Sequence, residues 1–201
     1  KEPPEIERYL PEVPYTAREN AVVLPYADNP LDDEHTGENV YMNILNSAQE
    51  YAYFITPYLL ISDEMENALC TAAKRGVDVR IITPGIPDKK LIYSVTRSFY
   101  HGLVKDGVRI FEWTPGFCHA KMSVADDCMA MCGTINLDYR SLYHHFENGC
   151  FMVDCDVVMD IKHDMEKTMA ESREVTDQYK EGRSATLRLG QLFLRLFAEL
   201  L

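Results

Sequence analysis

The densest run of reactive side chains in this sequence lies between Phe117 and Asp126, which reads Phe-Cys-His-Ala-Lys-Met-Ser-Val-Ala-Asp. Its alternation predicts a strand. Alternate side chains of a strand share a face, so His119, Lys121 and Ser123 point one way, while Ala120, Met122 and Val124 point into a core. An imidazole beside an ammonium makes poor packing but a good phosphate site. The lysine neutralises phosphoryl oxygens, and a neutral imidazole attacks phosphorus.

The next segment, Gly133 to Ser141, adds an amide donor, Asn136, where the chain leaves the sheet. Gly133 is expected to allow a sharp turn after the strand. Asp138 is placed to cap a following helix. Glu147 opens another apolar strand, and a carboxylate there is expected to hold the imidazole of His119 in one tautomer.

These side chains need a scaffold, and the pattern around them alternates strand and helix. Strands are predicted at 21–26, 51–56, 77–83, 108–113 and 149–153, with two more within 117–132 joined by a tight turn at Asp126 and Asp127. Helices are predicted at 39–50, from the Ser62 cap to Gly76, at 90–105 and from about Asp138. This alternation argues for a layered α/β fold. Residues 1–20, with Pro3, Pro4, Pro11 and Pro14, read as an extended linker, and residues 21–201 as one domain. The last forty residues, from about 157, read as helical. Their apolar end, Leu187 to Leu201, is expected to dock on the body rather than on a membrane or partner.

The chain has 201 residues, enough for a sizeable core, and a formal net charge of -12. Such an acidic surface disfavours a general nucleic-acid binder and simple electrostatic docking on anionic lipid. Six cysteines, at 70, 118, 128, 132, 150 and 155, read as reduced thiols. Cys128 and Cys132 have loose metal-ligand spacing, but a short apolar strand explains them better than zinc does. No run of 18 apolar residues and no signal-peptide pattern is present.

Taken together, the pattern His119-x-Lys121-x4-Asp126, then Gly133-Thr-x-Asn136, then Glu147 before a strand, resembles the phospholipase D superfamily. His119, Lys121 and Asp126 match its HKD motif, Asn136 the asparagine that follows, and Glu147 the downstream acidic position. Further segments, among them Ile55 to Tyr58, Ala72 to Pro84, Thr96 to Tyr100 and Gly133 to Ser141, are similar to the C-terminal half of bacterial cardiolipin synthases. The resemblance implies a phospholipase D-like α/β/α domain with a mixed central sheet. It implies phosphatidyl transfer between two phosphatidylglycerol molecules through a phosphatidyl-histidine, with release of glycerol and no metal or cofactor. His119 would be the nucleophile or the general acid/base. Lys121 and Asn136 would bind phosphate oxygens, and Glu147 would orient His119. Asp126 belongs to the motif, with a structural role at the turn as its simplest explanation.

One departure matters. The resembling enzymes use two HKD motifs, one per half, and this chain has one: His35, His101, His144, His145 and His163 all lack a lysine two residues on. With the Lys1 start and the proline-rich entry, this favours an excised C-terminal half. It would pair with a missing N-terminal half or with a second copy. The parent protein would then sit at the bacterial cell membrane with this domain on the cytoplasmic side, and the fragment would be soluble. Two other readings stay open: a single-motif homodimeric phosphodiesterase or nuclease, and an inert half that completes another chain.

Overall fold

The computed structural model describes residues 20–180, together with Glu5, Arg8 and Thr16. Most of the expected linker and the whole segment Leu187 to Leu201 therefore lie outside the described residues.

The described chain opens with β1 (Val22–Asp28) and α1 (Thr36–Ser47). Five apolar or aromatic residues then form β2 (Tyr51–Ile55), buried along its whole length, and the two-residue β3 (Leu59–Leu60) follows. Continuous burial of this kind marks a strand covered on both faces. Ser62 caps α2 (Asp63–Lys74) as its spacing predicts, its hydroxyl oxygen accepting from Met65 N at 3.1 Å. Asp63, Glu64 and Glu66 lie in the first turn, where the helix dipole favours acidic groups. Gly76, at φ +98°, turns the chain into β4 (Asp78–Pro84). Then come α3 (Lys90–Lys105), β5 (Arg109–Trp113), β6 (Met122–Ala125) and β7 (Met129–Gly133). The short β8 (Leu137–Asp138), a one-turn π-helix (Arg140–His144) and β9 (Glu147–Val153) lead to α4 (Asp156–Ala170), β10 (Ser172–Glu174) and α5 (Thr176–Lys180).

Eight strands form one mixed sheet in the order β1-β9-β7-β6-β2-β4-β5-β10. The centre, β2-β4-β5, is parallel, as expected for strands joined by helices, and the remaining neighbours are antiparallel. One face carries Ala52, Phe54, Val79, Ile81 and Ile110 against α1, α2, α3 and α5. The other carries Tyr51, Tyr53, Ile55, Ile82 and Phe111 against α4. The result is the three-layer α/β/α arrangement.

A buried carboxylate ties one side together. Glu112 has no exposure and accepts from two guanidinium nitrogens of Arg97 on α3, Nε at 2.7 Å and Nη2 at 2.8 Å, and from Arg173 on β10 at 2.7 Å. Three donors satisfy a charge that would be costly to bury alone.

Three local expectations are corrected. The strand predicted from Phe117 begins only at Met122, because β7 ends at Gly133 and one backbone bond, Gly133 N to Lys121 O at 3.2 Å, is the last to reach back. No ordinary helix follows Asp138. That residue is held in β8 against β3, and the chain must enter β9 at Glu147, so only the π-turn fits between. The last described stretch is not wholly helical. Ser172–Glu174 pairs antiparallel with β5, and Arg109 on β5 donates twice to Glu174, at 3.0 and 2.9 Å.

Candidate active site

The turn between β6 and β7 sets the register of the segment before it. Asp126 and Asp127 have φ of 51° and 57°, the left-handed pair that a tight hairpin of this hand requires. The Asp126 carboxylate accepts from three consecutive backbone N–H groups, Gln49 at 2.7 Å, Glu50 at 3.0 Å and Tyr51 at 2.9 Å. Asp127 takes the Tyr51 hydroxyl at 2.7 Å and the Lys162 ammonium at 2.5 Å. The hairpin tip is thereby fastened to the start of β2 and to α4.

At the other end of β6, His119 and Lys121 lie in the extended segment that enters the strand. The Lys121 ammonium donates to His119 O at 2.6 Å and stands 3.1 Å from His119 Nδ1. An ammonium only donates, so Nδ1 is the acceptor and a neutral ring carries its proton on Nε2. His119 is exposed, whereas Lys121 is 8% exposed. Partial burial of the ring, then the Lys121 charge, hold His119 below the usual histidine range. Burial likewise lowers Lys121, against an opposing pull from Glu147 and Asp138. Ser123, predicted on the same face, lies deeper in the sheet with no exposure.

An open cleft of about 470 Å³ gathers His119, Lys121, Thr134, Asn136 and Glu147. Thr134 and Asn148 lock β7 to β9 where Glu147 enters: Thr134 N donates to Asn148 O at 2.9 Å, and Asn148 N donates to Thr134 Oγ1 at 3.0 Å. Leu137 N donates to Thr56 Oγ1 at 3.1 Å, which fixes the residue after Asn136 to the end of β2. The Asn136 amide nitrogen donates to Ser141 Oγ at 2.9 Å. Its Oδ1 is buried with no partner among the described residues.

Of the five predicted site residues, four line this cleft and Asp126 does not. It sits about 16 Å away along an extended chain, where its three backbone bonds give it the turn-holding role. Asp138 caps the π-turn, accepting from Ser141 N at 2.8 Å, and burial raises its carboxyl above the usual range.

Two further expectations are revised. Gly133 has no left-handed backbone; it is needed because a Cβ there would overlap the Asn148 carbonyl oxygen and come within 2.7 Å of Gly149 Cα. Its role is close approach of β7 to β9, not a turn. Glu147 reaches the cleft, but among the described residues no hydrogen bond joins it to His119. Its Oε1 instead stands 3.7 Å from His145 Nδ1, and the Nδ1 of His119 is occupied by Lys121. Cys128 just precedes β7 and Cys132 lies near its far end, about 13 Å apart along the extended chain, too far to share one ion.

Tyr58 and Phe117 also stand beside His119, though neither is among the five predicted site residues. Their rings stand 6.5 and 5.9 Å from the His119 ring. The Tyr58 hydroxyl donates to Asp88 at 2.7 Å, and burial followed by Asp88 pushes its pKa up to about 12. Only the Ile55 to Tyr58 similarity hinted at it.

The arrangement suits an anionic phosphoryl group: one cation, one amide, one imidazole and one carboxylate around a cavity open on one side. Comparison with known proteins gives the family. The chain is 51% identical to an uncharacterized protein of Streptococcus mutans, over 90% of this chain and 40% of that protein. It is 32% identical to cardiolipin synthase 2 of Bacillus cereus, over 87% of this chain and 34% of the relative. The chain thus spans well under half the length of either. In fold it matches Nuc of Salmonella typhimurium, a phospholipase D family member, with a TM-score of 0.66 over 77% of this chain and 98% of that one, at 15% identity. The model of the cardiolipin synthase, PLD-like domain family matches residues 41–169, the stretch that holds the whole cleft, and the chain belongs to that family.

Proposed function

We propose that this chain is one half-site of a phosphatidyltransferase that makes cardiolipin from two phosphatidylglycerol molecules. The observation that carries the reading is the His119–Lys121 pair, 3.1 Å apart, in a cleft shared with Asn136 and Glu147. The cleft's open side is where the second half-site belongs, from the rest of the parent protein or from another copy.

In the first step a histidine nitrogen forms a bond to phosphorus while the bond from phosphorus to the glycerol oxygen breaks. The facing histidine, as general acid, protonates the leaving glycerol. In the second step a hydroxyl of another phosphatidylglycerol attacks phosphorus, the P–N bond breaks, and the proton returns to the facing histidine. His119 fills one of these two roles. Lys121 and Asn136 hold phosphoryl oxygens and stabilise the charge that builds on them. Lys121, drawn to the phosphate, leaves Nδ1 of His119; the ring proton then passes from Nε2 to Nδ1 through solvent, Nδ1–H donates to the Glu147 carboxylate, which fixes the ring, and Nε2 is left free to react. The substrates are bilayer lipids, so the parent protein works at a membrane surface; among the described residues no helix is long and apolar enough to cross one.

The test is to supply the intact parent protein with phosphatidylglycerol and measure cardiolipin and released glycerol. Both should appear in equal amounts, and the His119→Ala variant should form neither. A DNA-cleavage assay run beside it separates the nuclease reading: cleavage of DNA with no lipid product would replace this proposal.

A further inference from the structure

A second cavity, of about 210 Å³, adjoins the first and shares Asn136 with it. Its lining is unlike the acidic surface of the rest of the chain. Lys89 reaches it from the start of α3, Arg140 from the π-turn and His145 from the link to β9. Tyr58 and Ile92 supply an apolar side. Asp138 also borders it, but one of its oxygens accepts from Ser141 N, and burial raises its carboxyl above the usual range. His145 ties the two cavities together, because its 3.7 Å partner Glu147 lines the first. Asn136 Oδ1, buried and without a partner among the described residues, stands in the wall between them as an acceptor for an O–H donor.

We propose that this cavity is the acceptor subsite. It holds the anionic phosphodiester of the second phospholipid against Lys89, Arg140 and His145, so that the lipid's glycerol hydroxyl passes Asn136 toward the phosphoryl group in the first cavity. The inference rests on the phosphatidyl-transfer reading and deepens it. Two anions must approach each other in that reaction, and a local group of cations offsets their repulsion. The hydroxyl forms a P–O bond as the P–N bond breaks, and its proton goes to the general base. Arg140 can hold a phosphodiester by two parallel bonds, Lys89 by one.

The experiment compares two acceptors in the intact parent protein. One is phosphatidylglycerol in mixed micelles. The other is labelled free glycerol, which offers the same kind of hydroxyl without a phosphate and exchanges into phosphatidylglycerol. Arg140→Ala should lower cardiolipin formation roughly tenfold, and Lys89→Ala with Arg140→Ala roughly a hundredfold, while glycerol exchange changes less than twofold. Arg140→Lys should restore part of the loss. If exchange and cardiolipin formation fall together, these residues serve the donor or the fold, and the proposal is overturned. If neither falls, the cavity binds no acceptor and the proposal is equally overturned. A wild-type protein inert in both assays would instead sink the phosphatidyl-transfer reading itself.

Discussion

The strand β6 is only four residues long, yet its two ends do opposite work. At one end, His119 and Lys121 are linked to each other and face an open cleft. At the other, Asp126 spends its carboxylate on three backbone N–H groups of the chain entering β2. One sequence motif spans both ends. Its histidine and lysine are reactive because they are under-partnered, and its aspartate is structural because it is fully partnered. A motif therefore need not be a site. Here it is a site together with the peg that sets the site's register.

The contrast is open to test at each end. The largest effect is expected for His119→Ala in the intact parent protein: cardiolipin formation should drop at least ~1,000-fold, with little change in the thermal midpoint because the ring is exposed. Retention of even a tenth of the rate would sink the assignment.

Lys121→Met should cost on the order of 100-fold in rate and should also move His119. The Lys121 charge is the second cause of that residue's lowered pKa, after burial, so removing it raises the value part of the way back to the ordinary 6.5. An NMR titration of the His119 ring reads this directly. The folded pKa lies below the unfolded one, so the unfolded chain binds the extra proton first as pH falls. His119 thus contributes stability that is full above about pH 6.5 and is lost as pH drops through the folded value. A His119 titration at or above 6.5 in the unsubstituted chain would show that the lysine does not face the ring.

Glu147→Gln should slow the reaction by roughly tenfold and leave the fold intact, since its side chain has no hydrogen bond to a described residue to lose. An unchanged rate would remove it from the site.

The smallest effect on rate, and the largest on stability, is expected at the far end. Asp126→Asn keeps a residue tolerant of the left-handed backbone but loses the charge that holds three N–H groups. It should cost about 2 kcal/mol, a fall of roughly 4–8 °C in the thermal midpoint measured by circular dichroism. The rate per folded molecule should hold. A tenfold loss of rate at an unchanged midpoint would erase the distinction between the two ends.

Much of this was legible in the sequence. Ser62, three residues before Met65 and followed by Asp63 and Glu64, announces its helix through local chemistry alone, and it caps as read. The β2 run from Tyr51 to Ile55 is equally plain, since only a strand covered on both faces is so apolar. What failed to show depends on distant partners. β10 is three polar-flanked residues whose strand character comes from pairing with β5 and from the Arg109–Glu174 bridge, 65 positions apart. The short length of the turn after Asp138 is set by β3, not by its own residues. In the site, residue types located four of the five members. They could not say that Lys121, rather than Glu147, stands at Nδ1 of His119, because that is decided by how β7 and β9 bring their ends together. Nor could they show the second cavity, whose two cations and imidazole come from three separate elements.

The borders of the sheet carry a consequence for how copies of this chain associate. β1 leaves Val22, Val23 and Leu24 more than half exposed, which on an outer strand invites a foreign strand to add on. Pro25 comes next, opposite Cys150 on β9. With no N–H to give, it is tolerated only where that missing donor faces outward, so an incoming strand meets a gap in the middle of the row. The opposite border, β10, offers just three residues, with Arg173 and Glu174 among them. Among the described residues neither border offers a long uninterrupted row to an incoming strand, so crowding at high concentration should produce side-by-side contacts, not fibres.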